Sequence, residues 1–116
     1  MIRLMRSLAH AGKGILYTFR NERNFQVELT IAGTVMLLTL WLPVSRFEIM
    51  ILILVIVLVL VLELINTAVE RVIDILKPRV HPYARVVKDV TAGAVFVASL
   101  GALVLGGMIF FPYFFP

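Results

Sequence analysis

Cysteine is absent from the 116 residues. Disulfide frameworks, thiolate metal centres and cysteine nucleophiles are therefore excluded, and cysteine usage says nothing about redox compartment. Charge is scarce as well: 16% of residues are Asp, Glu, Lys or Arg, against about 25% in an average soluble domain, and those present are clustered. Phosphate-binding loops are missing. Neither GxxxxGK[ST] nor the glycine-rich loop of protein kinases occurs, so a nucleotide site must be built outside the usual soluble nucleotide folds. No internal repeat stands out. The N-terminal MIRLMRSLAHAGKGILYTF is broken by Lys13 and lacks a small-residue cleavage site after an apolar core, so a signal peptide is not expected. The net charge of +4 is not accompanied by basic residues interleaved with aromatics in a soluble module, and nucleic acid is not expected as a partner.

Apolar residues make up 61% of the chain, which points to one lipid-embedded unit. Residues 25–44, ending in LTIAGTVMLLTLWLPV, give about 20 residues, enough for a ~30 Å hydrocarbon core, with Trp41 and Pro43 at the far interface. Residues 47–77 contain IMILILVIVLVLVL, apolar on every side, and Pro78 is the first breaker after it. Residues 84–111 carry Arg85, Lys88 and Asp89 in the first turns and are apolar thereafter. Ahead of these three spans, residues 1–24 alternate Ile2, Leu4, Met5, Leu8, Ile15, Leu16 and Phe19 with Arg3, Arg6, Lys13 and Arg20 in a helical rhythm. That rhythm predicts a basic amphipathic helix in the membrane interface, weakened and open to a bend at Gly12 and Gly14. Simple anchoring of the first span accounts for it as well as a functional role does.

Orientation follows from the cations. Arg3, Arg6, Lys13, Arg20 and Arg23 precede the first span, and Arg71, Lys77, Arg79, Arg85 and Lys88 surround the loop between the second and third. Only Arg46 lies on the other side, so the N-terminus and that loop are expected in the cytoplasm and the C-terminus outside.

Acids follow directly on the longest apolar run, in ELINTAVERVID from Glu63 to Asp74. At ~100° per residue, Glu63, Asn66, Glu70 and Asp74 fall on one stripe of a helix. An ionised carboxylate in hydrocarbon costs several kcal/mol, so Glu63 is the most expensive of the four and a functional candidate by default. A helix–helix hydrogen bond, or an acid paired with a base such as Lys88, is the structural alternative. Joined by the short KPRVHP connection, the third span would bring Arg85, Lys88, Asp89 and Ala92 beside Glu70 and Asp74. Carboxylates suit a hard divalent cation, Lys88 and Arg79 or Arg85 suit phosphate oxygens, and a carboxylate at the lipid boundary can take a proton from an alcohol. Phosphoryl transfer needs these parts. His81, alone in its loop, is as readily a solvated residue as a ligand contact.

ELINTAVERVID followed by HPYARVVKDVTAGAV, with NERNF before the first span, resembles the prokaryotic diacylglycerol kinase family along essentially the whole chain. The resemblance implies an all-α integral membrane protein: an N-terminal amphipathic surface helix plus three transmembrane helices, assembled as a homotrimer, in the bacterial inner membrane with the active site cytoplasmic. It implies γ-phosphoryl transfer from ATP, with Mg²⁺, to the hydroxyl of a membrane lipid.

By position in the motif, Glu63 corresponds to the general base and Asn66 to its substrate-positioning neighbour. Glu22 and Glu70 correspond to the metal pair, with Asp74 supporting. Lys88 and Asp89 correspond to nucleotide contacts, as do Glu22, Glu70 and the loop of Arg79, Val80 and His81. Arg3 and Ala92 fall on the lipid side. His10 stands where some members place a nucleotide-contacting tyrosine. Glu28 has a counterpart without an assigned role. The small residues Thr91, Ala92, Gly93 and Ala94 suit close helix approach or room for the lipid head, and packing is the expected use of Ala98, Gly101, Gly106 and Gly107.

ERNF, HPxA and KDxxAGAV are more similar to the Gram-positive branch, many of whose members phosphorylate undecaprenol, than to the proteobacterial diacylglycerol enzymes. Undecaprenol is therefore the expected substrate and diacylglycerol the alternative. A non-enzymatic membrane assembly or regulatory protein, its acids and cations serving as helix glue, is a different class of reading. A proton-linked transporter is a third, disfavoured because three spans give no inverted repeat.

Overall fold

In the computed structural model, residues 1–76 and 82–116 are described. Four α-helices follow in order: α1 (Ile2–Asn21), α2 (Arg23–Trp41), α3 (Arg46–Leu76) and α4 (Tyr83–Phe114). The all-helical expectation holds among the described residues.

The basic, amphipathic N-terminal stretch forms α1, which runs through Gly12 and Gly14 without interruption. The bend expected there instead falls at Glu22, where α1 gives way to α2 through one extended residue. A mid-helix glycine costs about 1 kcal/mol relative to alanine, too little to break a helix whose flanking turns are well formed. Lys77, Arg79, Val80 and His81 lie outside the described residues.

Two helices among the described residues are long and apolar enough to cross a membrane, α3 and α4. The expected first span, α2, falls short of that measure, because Arg23, Asn24, Gln26 and Glu28 fill its first turns. α3 contains 31 residues and at ~1.5 Å per residue exceeds a ~30 Å hydrocarbon core by several turns. Its C-terminal turns carry Glu63, Asn66, Glu70, Arg71 and Asp74, while the apolar run occupies the other end. α4 extends past the expected end at Phe111, through Pro112 to Phe114.

Packing is densest between α3 and α4, with α2 laid on α3 and α1 crossing near the polar end of α3. Among the described residues the buried apolar set is Phe25, Leu52, Val59, Ile73 and Ile109, while Leu54, Val61, Phe96, Val97, Leu103 and Met108 face outward. Such a surface matches lipid or other apolar helices better than water. Close approach at Gly101, Gly106 and Gly107 is not realised within the chain: a Cβ built on any of them meets nothing within 4 Å.

The end of the bundle remote from the acids is tied by side chains. Ser45 and Glu48 form a reciprocal capping box at the start of α3, each side chain accepting from the other's backbone N–H at 3.1 Å. The Tyr113 hydroxyl at the end of α4 donates to the same Glu48 carboxylate at 2.6 Å. This fixes the register of the two long helices.

Candidate active site

The site begins at the α1–α2 elbow. Glu22 has φ −115° and ψ 111°, and carbonyls of the last turns of α1 receive side-chain donors, among them Phe19, which has no i+4 N–H within the helix. Asn21 Nδ2 donates to the Tyr17 carbonyl at 2.8 Å, and Gln26 Nε2 to the Phe19 carbonyl at 2.7 Å. Phe25, 2% exposed, anchors the first turn of α2. The motif NERNF thus makes a braced corner that turns Glu22 toward α3.

On α3 the acid stripe is realised. Asn66 Nδ2 donates to Glu70 Oε1 one turn away at 3.1 Å. Arg71 then gathers the surrounding groups. Its Nη2 donates to Glu22 Oε1 and its Nε to the Tyr17 hydroxyl at 2.8 Å. Its Nη1 lies 4.0 Å from Glu70 Oε2 and 3.9 Å from Asp74 Oδ2. The guanidinium carbon sits 5.7 Å from the centre of the Tyr17 ring, within cation–π range. Lys88 Nζ, from α4, stands 3.6 Å from Asp74 Oδ1. Three helices and the elbow therefore meet through one charged network. Each half-exposed pair in such a network contributes about 0–1 kcal/mol, which is small beside what placing these charges at a lipid boundary costs. Stability alone does not account for the arrangement.

Deeper along α3 the groups are buried. Glu63 is 2% exposed, Thr67 3% and Asn66 7%. Asn66 Oδ1, Thr67 Oγ1 and, on the facing α2, Glu28 Oε2 are buried with no hydrogen-bond partner among the described residues. Leaving such an atom unsatisfied costs about 1–3 kcal/mol, and native chains rarely tolerate several together without a functional reason. Glu28 also forms one polar wall of a cavity of about 520 Å³ between α2, α3 and α4 that is otherwise largely apolar. Polar atoms suited to a hydroxyl thus adjoin apolar walls suited to a hydrocarbon chain.

Of the residues singled out from the sequence, Glu22, Glu63, Asn66, Glu70, Asp74 and Lys88 converge here. Arg3 and His10 are exposed on α1, and Asp89 and Ala92 on α4. Among the described residues no hydrogen bond or ion pair joins any of these four to the network. Arg79, Val80 and His81 lie outside the described residues. Arg71 and Tyr17 were not singled out as site residues. Arg71 counted only as one more cytoplasmic cation, although it is the sole cation inside ELINTAVERVID, one position off the acid stripe.

Among the described residues, no three of His, Asp or Glu are grouped as a ready-made metal centre. Mg²⁺ does not require one, since it takes one or two carboxylates and completes its shell with water and substrate phosphates. Glu22 and Glu70, two carboxylates held by the same guanidinium, with the unpartnered Asn66 carbonyl oxygen beside Glu70, form an all-oxygen donor set that fits such a cation.

Comparison with known proteins identifies the family. Residues 9–110 match the family model described as prokaryotic diacylglycerol kinase. An undecaprenol kinase of Bacillus subtilis is 40% identical over 110 residues, covering 95% of this chain and 89% of the relative. A diacylglycerol kinase of Haemophilus influenzae is 33% identical over 109 residues, covering 93% and 92%. A diacylglycerol kinase of Synechocystis is 34% identical over 110 residues, covering 94% of this chain and 63% of that longer relative.

Proposed function

The chain belongs to the prokaryotic diacylglycerol kinase family, and from that premise we propose that it transfers the γ-phosphoryl group of ATP to the hydroxyl of undecaprenol in a bacterial cytoplasmic membrane. It is a lipid kinase. The choice of undecaprenol is supported by the 40% identity to an enzyme named for that substrate. Diacylglycerol is the second reading, supported by the relatives from Haemophilus and Synechocystis.

The observation that carries the mechanism is Glu63, a carboxylate 2% exposed at the inner end of the acid stripe, with unpartnered polar atoms on Asn66, Thr67 and Glu28 around it. Glu63 accepts the proton of the lipid hydroxyl as the oxygen attacks the γ-phosphorus. The bond to the β-bridging oxygen breaks in line, and ADP leaves. Asn66 keeps Glu70 oriented with one Nδ2 hydrogen and offers the other to the lipid oxygen, positioning it beside Glu63. Lys88, on the far side of Asp74, donates to phosphate oxygens as their charge grows. Glu22 and Glu70 are the residues that would hold Mg²⁺. Bound there, it would supply positive charge against the phosphates during transfer. Asp89, His10 and the segment of Arg79, Val80 and His81 serve the nucleotide, and Arg3 and Ala92 the lipid headgroup.

In this proposal α2 is the first of three spans. Its hydroxyls support that role: Thr30 and Thr34 donate to carbonyls four residues back and Thr39 to one three back, so they enter lipid satisfied. The outward apolar faces of α3 and α4 and the uncrowded glycines of α4 suit assembly as a homotrimer, with the N-terminus cytoplasmic.

The test is transfer of label from γ-labelled ATP with Mg²⁺ in mixed micelles, offering undecaprenol and diacylglycerol separately. Label in undecaprenol supports the proposal. Label confined to diacylglycerol selects the second reading, and label in neither contradicts both.

A further inference from the structure

Arg71 has no part in the mechanism above, yet among the described residues it meets Tyr17, Glu22, Glu70 and Asp74 together. Its fork reaches Glu22 directly, stands 4.0 Å from Glu70 and 3.9 Å from Asp74, and is held from behind by the Tyr17 hydroxyl at 2.8 Å. Glu22 comes from the α1–α2 elbow and Glu70 from α3, and among the described residues what joins them is this guanidinium. Two carboxylates brought together without a cation would repel one another. Arg71 supplies the missing positive charge from within the chain. Its side chain is 36% exposed, so it has room to move outward.

We propose that Arg71 is an internal counter-cation that bridges Glu22 and Glu70, and that a divalent cation binds this pair only by displacing it. The inference rests on the assignment of Glu22 and Glu70 as the metal carboxylates. One consequence is an order of binding. A free cation must compete with a covalently tethered guanidinium, whereas a cation arriving on a nucleotide brings phosphate oxygens that re-pair the released fork, whose planar donors suit them. Free divalent cation then binds weakly, and nucleotide strengthens its binding. Arg71 is a positioning residue here: it sets the separation of the two carboxylates and touches no reacting atom.

The experiment is Mn²⁺ binding to the whole protein in detergent micelles, without nucleotide, followed by the electron paramagnetic resonance signal of free Mn²⁺. Arg71→Met is expected to tighten binding by about 5-fold or more, the equivalent of one half-exposed guanidinium pair. Arg23→Met, which removes the same charge one residue from Glu22, is expected to leave it within about twofold, since an exposed charge acts only through screened solvent. Added ADP is expected to shrink the Arg71→Met difference. Unchanged or weaker binding in Arg71→Met, an equal gain in Arg23→Met, or no Mn²⁺ binding to any form would overturn the proposal.

The unmodified protein supplies a second measurement that does not depend on the variant folding. The ¹⁵Nε–¹H resonance of Arg71, now hydrogen-bonded to Tyr17, is expected to shift on titration with Mg²⁺, and a resonance unmoved at saturating Mg²⁺ would contradict displacement. Loss of the kinase reading has a different signature, no label transferred to either lipid by the unmodified protein. Failure of this inference leaves transfer intact.

Discussion

Asn66 donates its side-chain amide to Glu70 across one turn of α3, at 3.1 Å, while its own carbonyl oxygen stays buried without a partner among the described residues. The two halves of one amide therefore face different duties. The amide nitrogen orients a carboxylate assigned to the metal and can also reach the substrate oxygen, and the carbonyl oxygen is left open toward the cation. Asn66→Asp keeps the shape but cannot donate to Glu70 when ionised, and Asn66→Ala removes both functions. Steady-state kinetics is expected to show kcat/KM for the lipid falling by about 10–100-fold for Asn66→Ala, the scale of two lost hydrogen bonds. An unchanged value would remove Asn66 from the site.

Lys88 pairs with Asp74 at 3.6 Å, with the lysine side chain 33% and the aspartate 46% exposed. A pair this exposed adds about 1 kcal/mol or less to stability. Lys88→Met is thus expected to unfold within a few degrees of the unmodified protein in detergent, and to lose at least about 100-fold in transfer rate because a charge on the phosphates is gone. A large drop in thermal stability with a proportionate loss of activity would instead mark Lys88 as helix glue.

The opposite end of the bundle offers the complementary case. Tyr113 donates to Glu48 at 2.6 Å, and Glu48 also closes the capping box with Ser45. Tyr113→Phe removes a hydrogen bond to a carboxylate that joins the ends of the two long helices. It is expected to lower the unfolding temperature in detergent while leaving kcat unaltered, since the acids lie at the other end of α3. An unchanged unfolding temperature would show that the contact contributes nothing.

Much of this architecture was legible from residue pattern because it is local. The apolar run in 49–62 dictates a long helix, and the spacing of Glu63, Asn66, Glu70 and Asp74 dictates one stripe. The N-terminal rhythm likewise dictates α1. Tertiary relations were less accessible. Arg71 meets Tyr17 and Glu22 from 54 and 49 residues away, and no helical periodicity encodes that meeting. The position of the elbow depended on Asn21 and Gln26 side chains capping α1, which overrode the glycine signal at Gly12 and Gly14. The glycines of α4 suggested packing by composition, but a glycine stripe does not say which neighbour comes close, and within the chain none does. Arg3 and His10 were placed by resemblance alone, Asp89 and Ala92 also by the stripe they share with Lys88, and the exposed positions of all four keep them as proposals.

The account turns on Glu63 as the group that takes the lipid proton. Glu63→Gln is nearly isosteric and keeps a hydrogen-bonding side chain, but it removes the base. The decisive measurement pairs label transfer to undecaprenol with equilibrium ATP binding, on the same folded preparation of this variant. Loss of transfer by about 100-fold or more, with ATP affinity within about twofold of the unmodified protein, is the predicted result. Substantial transfer, or loss of ATP binding in parallel with transfer, would contradict it.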